Sequence, residues 1–74
     1  MQYIAYMDIF ETLKQRRLLL DITQQDLADF SGIGLRTIRQ LEAGKGNPSV
    51  ETLSRLLDVL GMEIDIRVKK PKNV

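Results

Sequence analysis

Residues 23–47, TQQDLADFSGIGLRTIRQLEAGKGN, hold two short helix patterns separated only by Ser31, Gly32, Ile33 and Gly34. Helices this short are not stable in isolation, so two of them on so tight a hinge must pack on each other and on what the rest of the chain supplies. Thr23 is a good N-cap with Asp26 three residues on, and Ile22 can pack on Leu27, which predicts the first helix over residues 24–30. Ser31 and Gly32 end it. Gly34 tolerates the cap conformation, and the second helix is predicted over residues 35–43, stopping at Gly44.

The flanks provide the remaining surfaces. Asp8 followed by Glu11 is the Asp-x-x-Glu form of a capping box and starts a helix that reaches Leu20. At about 100 degrees per residue, Ile9, Phe10, Leu13 and Leu20 share an arc that should face the core. Arg17 falls inside that arc and must reach water or a carboxylate, because breaking a buried ion pair costs roughly 3–5 kcal/mol. Beyond the central pair, Gly46, Asn47 and Pro48 read as a loop and Ser49 as a cap. Val50, Leu53, Leu56, Leu57 and Leu60 then form an apolar stripe at helical spacing before Gly61.

After Gly61 the period changes to two. Met62, Ile64, Ile66 and Val68 alternate with Glu63, Asp65 and Arg67, the pattern of a half-buried strand. A lone strand needs a partner, either the N-terminal segment or a second copy. In a symmetric antiparallel pair centred on Ile66, Asp65 opposes Arg67 and Glu63 opposes Lys69, which predicts a homodimer joined through Met62, Ile64, Ile66 and Val68. The alternative is a strand lying on its own preceding helix. The predicted division is an N-terminal segment over 1–7, a helical domain over 8–61, a dimerisation strand over 62–68 and a basic tail over 69–74. Residues 2–7 fit an extension of the first helix, an edge strand or a cover over the dimer equally well.

Composition narrows the chemistry. A chain of 74 residues makes one small domain with a marginal core, which self-association would help. It contains neither cysteine nor histidine, so disulfides, thiolate metal sites and the usual nucleophiles and bases are missing. Asp26, Asp29, Glu51 and Asp58 lie at helix starts or on solvated faces, where capping explains them. Neither an enzyme nor a metal or cofactor site is expected. No apolar run approaches the roughly 18 residues of a membrane span, and the start lacks a basic segment followed by an apolar one, so a cytoplasmic protein without a membrane partner is expected. A net charge of only +1 means that a polyanion would be attracted by a local patch.

Such a patch is predicted on the second helix of the central pair. Ile38 and Leu41 mark its buried side, with Glu42 at the edge, and Arg36, Arg39, Gln40 and Ala43 fall on the opposite face. Arginine can bond a guanine edge at two points and glutamine an adenine edge, while Leu35 at the margin can touch a thymine methyl. Thr23, Gln24, Thr37, Lys45 and Asn47 are placed where phosphate oxygens would run beside the groove. Two plainer readings stand beside this one: outward arginines that merely solvate a surface helix, and a bundle that holds a partner protein.

The segments T-Q-Q-D-L-A, S-G-I, T-I-R-Q-L-E-A-G and N-P-S resemble the XRE family of helix-turn-helix domains, the phage repressor and Cro type, over about residues 8–61. The resemblance implies a bundle of short helices in which residues 35–43 form the recognition helix. It places Gln24 on a phosphate, Leu35, Arg36 and Gln40 on bases, and Arg17 against Glu42 as a structural ion pair. With the alternating segment added, the expected fold is mainly α: a repressor-like bundle of four to five short helices with one C-terminal β-strand, paired across a dimer. The expected function is sequence-specific regulation of transcription, as a repressor on a double-stranded DNA operator. A repressor-type domain followed by a dimer-forming strand is also similar to antitoxins of bacterial toxin-antitoxin operons, which implies a kinase-like toxin as a partner protein. The chain departs from the family pattern at Gly34 and Leu35, where polar residues often open the recognition helix. It departs again at Asp21, where glycine is common and the left-handed conformation carries a cost.

Overall fold

The computed structural model describes residues 8–66, 68 and 69. Among them are four helices: α1 (Ile9–Leu19), α2 (Gln24–Ser31), α3 (Leu35–Glu42) and α4 (Val50–Val59). Each start except that of α3 is set by a side chain. Asp8 Oδ1 accepts from the Glu11 N–H at 2.8 Å, and Ser49 Oγ accepts from the Thr52 N–H at 3.1 Å. At α2 the capping box is reciprocal, with Thr23 Oγ1 accepting from the Asp26 N–H and Asp26 Oδ2 from the Thr23 N–H, both at 2.9 Å. At α1 the Glu11 carboxylate instead accepts from Gln15 Nε2 at 2.7 Å. The helices stop close to the expected places: α2 runs one residue further, to Ser31, and α3 one residue less, with Ala43 as its C-cap. Gly32, at φ 75°, supplies the left-handed residue that turns the chain out of α2. Asp21 adopts φ 58° in the turn before α2, the conformation expected to be costly there.

The core is assembled from all four helices. Leu13 of α1, Leu27 and Ala28 of α2, Ile38 and Leu41 of α3, and Leu56, Leu57 and Leu60 at the end of α4 are buried together. Phe10, Ile22, Ile33, Leu35, Leu53, Val59 and Met62 close its edge. Each fully buried leucine or isoleucine contributes about 1.5–3 kcal/mol. Packing runs α2 on α3, α2 on α4 and α1 on α3, so α3 is held from two sides.

Three positions assigned to apolar stripes lie outside this core. Ile9 and Leu20 are partly exposed, and Val50 is 69% exposed. All three stand in the first turn of their helix or just past its last, where the correct direction on the wheel meets no neighbouring helix.

The chain leaves the bundle along a defined path. The Met62 N–H donates to the Leu57 carbonyl at 2.8 Å, and Arg16 Nε donates to the Leu60 carbonyl at 2.9 Å, tying the end of α4 to α1. Met62 packs against the core; Ile64 is partly exposed, whereas Ile66 and Val68 are 89% and 96% exposed. Among the described residues no strand is formed, which differs from the expectation for 62–68. A strand exists only beside a neighbouring strand, and no such strand stands among the described residues. The expectations placed on residues 1–7, on Arg67 and on most of the tail lie outside the described residues. No helix among the described residues is long and apolar enough to cross a membrane.

Candidate nucleic-acid interface

The two faces of α3 differ sharply. Ile38 and Leu41 are buried on one side, and Arg36, Arg39 and Gln40 are exposed together on the other. Lys45 and Asn47 follow in the exposed loop, where the Lys45 N–H donates to the Gln40 carbonyl at 2.9 Å and fixes the exit from the helix. Thr37 is half-buried. Leu35 is also half-buried and packs against the core, so it presents an edge rather than a whole side chain. Gly34 is the N-cap of α3 at φ −62° and makes no side-chain cap bond.

Behind this face lies a buried charged network. Arg17 donates to Glu42 twice, Nε to Oε2 at 2.6 Å and Nη2 to Oε1 at 2.8 Å, and its Nη1 donates to the Ile22 carbonyl at 2.8 Å. The side chains are 9% and 6% exposed, so the pair ties α1, the turn before α2 and the end of α3 together away from solvent. Burial works against the Glu42 carboxylate, but bonds from Arg17 and Gln24 and the nearby charges of Arg17 and Lys14 outweigh it and hold its pKa below the ordinary value. The Arg17 guanidinium is raised in turn, chiefly by its bond to Glu42. Both groups stay charged at neutral pH.

Gln24 and Thr23 have internal partners as well. Gln24 Nε2 donates to Glu42 Oε1 at 3.0 Å, and Thr23 Oγ1 caps α2. Sequence reasoning missed both the Gln24 bond to Glu42 and the Arg16 bond to the Leu60 carbonyl. Each joins residues far apart in the chain, and no local spacing signals either one.

Residues 13–66 match the Helix-turn-helix family. The chain belongs to the XRE-type helix-turn-helix family. As an XRE-type domain it is 37% identical over 59 residues to the transcriptional repressor RstR of the cryptic phage CTXphi in Vibrio cholerae, covering 80% of this chain and 53% of that protein. It is equally similar, 37% over 59 residues, to the SPbeta prophage-derived HTH-type transcriptional regulator YonR of Bacillus subtilis, with 80% and 55% covered. An HTH-type transcriptional regulator of Methanocaldococcus jannaschii is 36% identical over 53 residues, 72% of this chain and 80% of that protein. The chain spans about half the length of the first two relatives. Within the XRE-type domain, α2, the hinge at residues 32–34 and α3 form the helix-turn-helix unit.

Proposed function

We propose that this chain is a sequence-specific DNA-binding regulator of transcription, a repressor, that lays α3 in the major groove of a double-stranded operator as a homodimer. The observation that carries the reading is the exposed group of Arg36, Arg39 and Gln40 on a helix whose other face is locked into the core by Ile38 and Leu41. A helix fixed in this way needs little further ordering of its backbone at binding, which leaves the side chains themselves to be ordered. Arg36 and Arg39 suit guanine edges and Gln40 an adenine edge, and Leu35 has an edge left for a thymine methyl. Thr23, Gln24, Thr37, Lys45 and Asn47 are assigned to phosphates beside the groove.

Two copies make better sense of specificity than one. A single module of this size makes few contacts, whereas two related by a two-fold read half-sites about one helical turn apart, ~34 Å. The exposed row of Ile66 and Val68 supports such pairing, since an apolar edge of this kind gains from being covered. In the proposed dimer Met62, Ile64, Ile66 and Val68 of one copy lie along their counterparts, with Ile66 at the centre.

Selection from random duplexes at moderate salt tests the reading, with one enriched two-fold-symmetric motif as the expected result. Arg36→Ala should then relax the preference at its base pair in each half-site by about 1–3 kcal/mol, while Lys45→Ala should weaken binding to all sequences alike and lower the salt slope by about one for each copy. If no motif is enriched, the repressor reading fails and the bundle serves as a protein-interaction module.

A further inference from the structure

The Arg17–Glu42 pair joins three elements, and stability alone accounts for it as far as α1 and α3 are concerned. The third arm is different. Gln24 stands at the first position of α2, half-buried, and its amide donates to the same Glu42 oxygen that accepts Arg17 Nη2. A primary amide carries two N–H donors that diverge in one plane, so a bond that fixes one of them also sets the direction of the other. In the first turn of α2 the capping box takes the Asp26 N–H and sets the Asp26 carboxylate on the Thr23 N–H. The helix end therefore gives an anion only part of its usual attraction, and the contact falls to the Gln24 side chain.

We propose that Glu42, held by Arg17, is a positioning residue for phosphate: it grips one N–H of Gln24 and thereby aims the other at the DNA backbone. This rests on the DNA-binding reading. Glu42 alone would be a poor choice for the task, because a bare carboxylate behind a phosphate site repels what the site should bind. Arg17 removes the conflict. Its Nε and Nη2 atoms are committed to Glu42 and its Nη1 to the Ile22 carbonyl, so the guanidinium acts from inside by cancelling the carboxylate. Without the pair, the Gln24 side chain has to be ordered at the moment of binding, which weakens the contact.

The test is a cycle of binding measurements on a random-sequence duplex long enough for two half-sites, at low salt, since a phosphate contact carries no sequence preference. The variants are Gln24→Ala, the double variant Arg17→Met with Glu42→Leu, and all three changes together. Replacing a buried ion pair by apolar residues of similar size is commonly neutral for folding, and a thermal melt followed by circular dichroism checks this. Gln24→Ala and the double variant should each raise Kd roughly five- to tenfold per half-site, the size of one hydrogen bond, and by about the square of that for a dimer on two half-sites. The triple variant should bind no more weakly than either. A folded double variant with wild-type Kd, or a triple variant whose loss is the product of the two, overturns the proposal while leaving DNA binding intact. A wild-type chain that binds no duplex even at low salt overturns the DNA-binding reading and this inference together. Should the double variant fail to fold, Arg17→Lys takes its place, since lysine keeps the charge but loses the two-point grip. A smaller loss, absent in the Gln24→Ala background, is then expected, and an equal loss in both backgrounds overturns the proposal.

Discussion

In α3, Ile38 and Leu41 are sealed in the core and Arg36, Arg39 and Gln40 face outward; after α4, the equally regular row of Ile64, Ile66 and Val68 runs from partial to nearly full exposure. Both segments carry an apolar pattern, and the difference lies in what each kind of backbone requires. A helix satisfies its own hydrogen bonds and asks only for a surface to pack against, which α1 and α2 supply to α3. A strand requires a neighbour along its whole length. The first pattern is therefore completed within the chain, whereas the second is not completed among the described residues.

The sharpest way to break this contrast is at the sealed side. Leu27 is buried to 1% exposure where α2 meets the core, so Leu27→Ala should cost about 3 kcal/mol and lower Tm by more than about 10 °C. A much smaller shift would mean that the core collapses around the gap and is less closely packed than described. Acid comes next. The Glu42 carboxyl is held below its ordinary pKa in the folded chain, so the unfolded chain takes up that proton first as pH falls. The contribution of Glu42 is complete above the ordinary carboxylate range and declines as pH drops through it toward the folded value. In a plot of Tm against pH, Glu42→Gln should lower the neutral plateau and flatten that part of the acid limb, and an unchanged limb would place the acid sensitivity elsewhere.

The turns offer a smaller change of opposite sign. Asp21 pays for φ 58° with a side chain that glycine lacks, so Asp21→Gly should raise stability by about 1 kcal/mol in a denaturant melt, provided no cap contact is lost. The smallest effect is expected on the open side. Ile66→Ser should change the stability of the dilute single chain by less than about 0.5 kcal/mol. If copies pair through this row, wild-type Tm rises with protein concentration and the variant's does not. A variant that destabilises the dilute chain would show that Ile66 is covered from within.

Much of the fold was legible because it is written locally. Asp8, Thr23 and Ser49 sit at helix starts, and Gly32 and Gly61 at or just past the ends, and each acts within four residues of itself. The outward set of Arg36, Arg39 and Gln40 followed from periodicity alone. What remained hidden depends on how far a neighbour extends or on residues distant in the chain. Periodicity gives the direction of Ile9, Leu20 and Val50 but not the point along the axis where packing stops. No pattern foretells that Arg16 reaches the Leu60 carbonyl or that Gln24 shares Glu42 with Arg17, because these bonds appear only once the helices are set side by side.

Gly34 has a consequence of another kind. Its φ of −62° suits any residue, and a β-carbon there would meet no atom within 4 Å. The backbone therefore does not require glycine at the mouth of α3. Serine or asparagine would fit and would gain a few tenths of a kcal/mol as a cap. Under the proposed function, such a change would also place a new polar group beside the bases. A single codon could thus give descendants of this chain a different operator preference without a penalty in folding, which makes position 34 a place where regulators of this build can diverge.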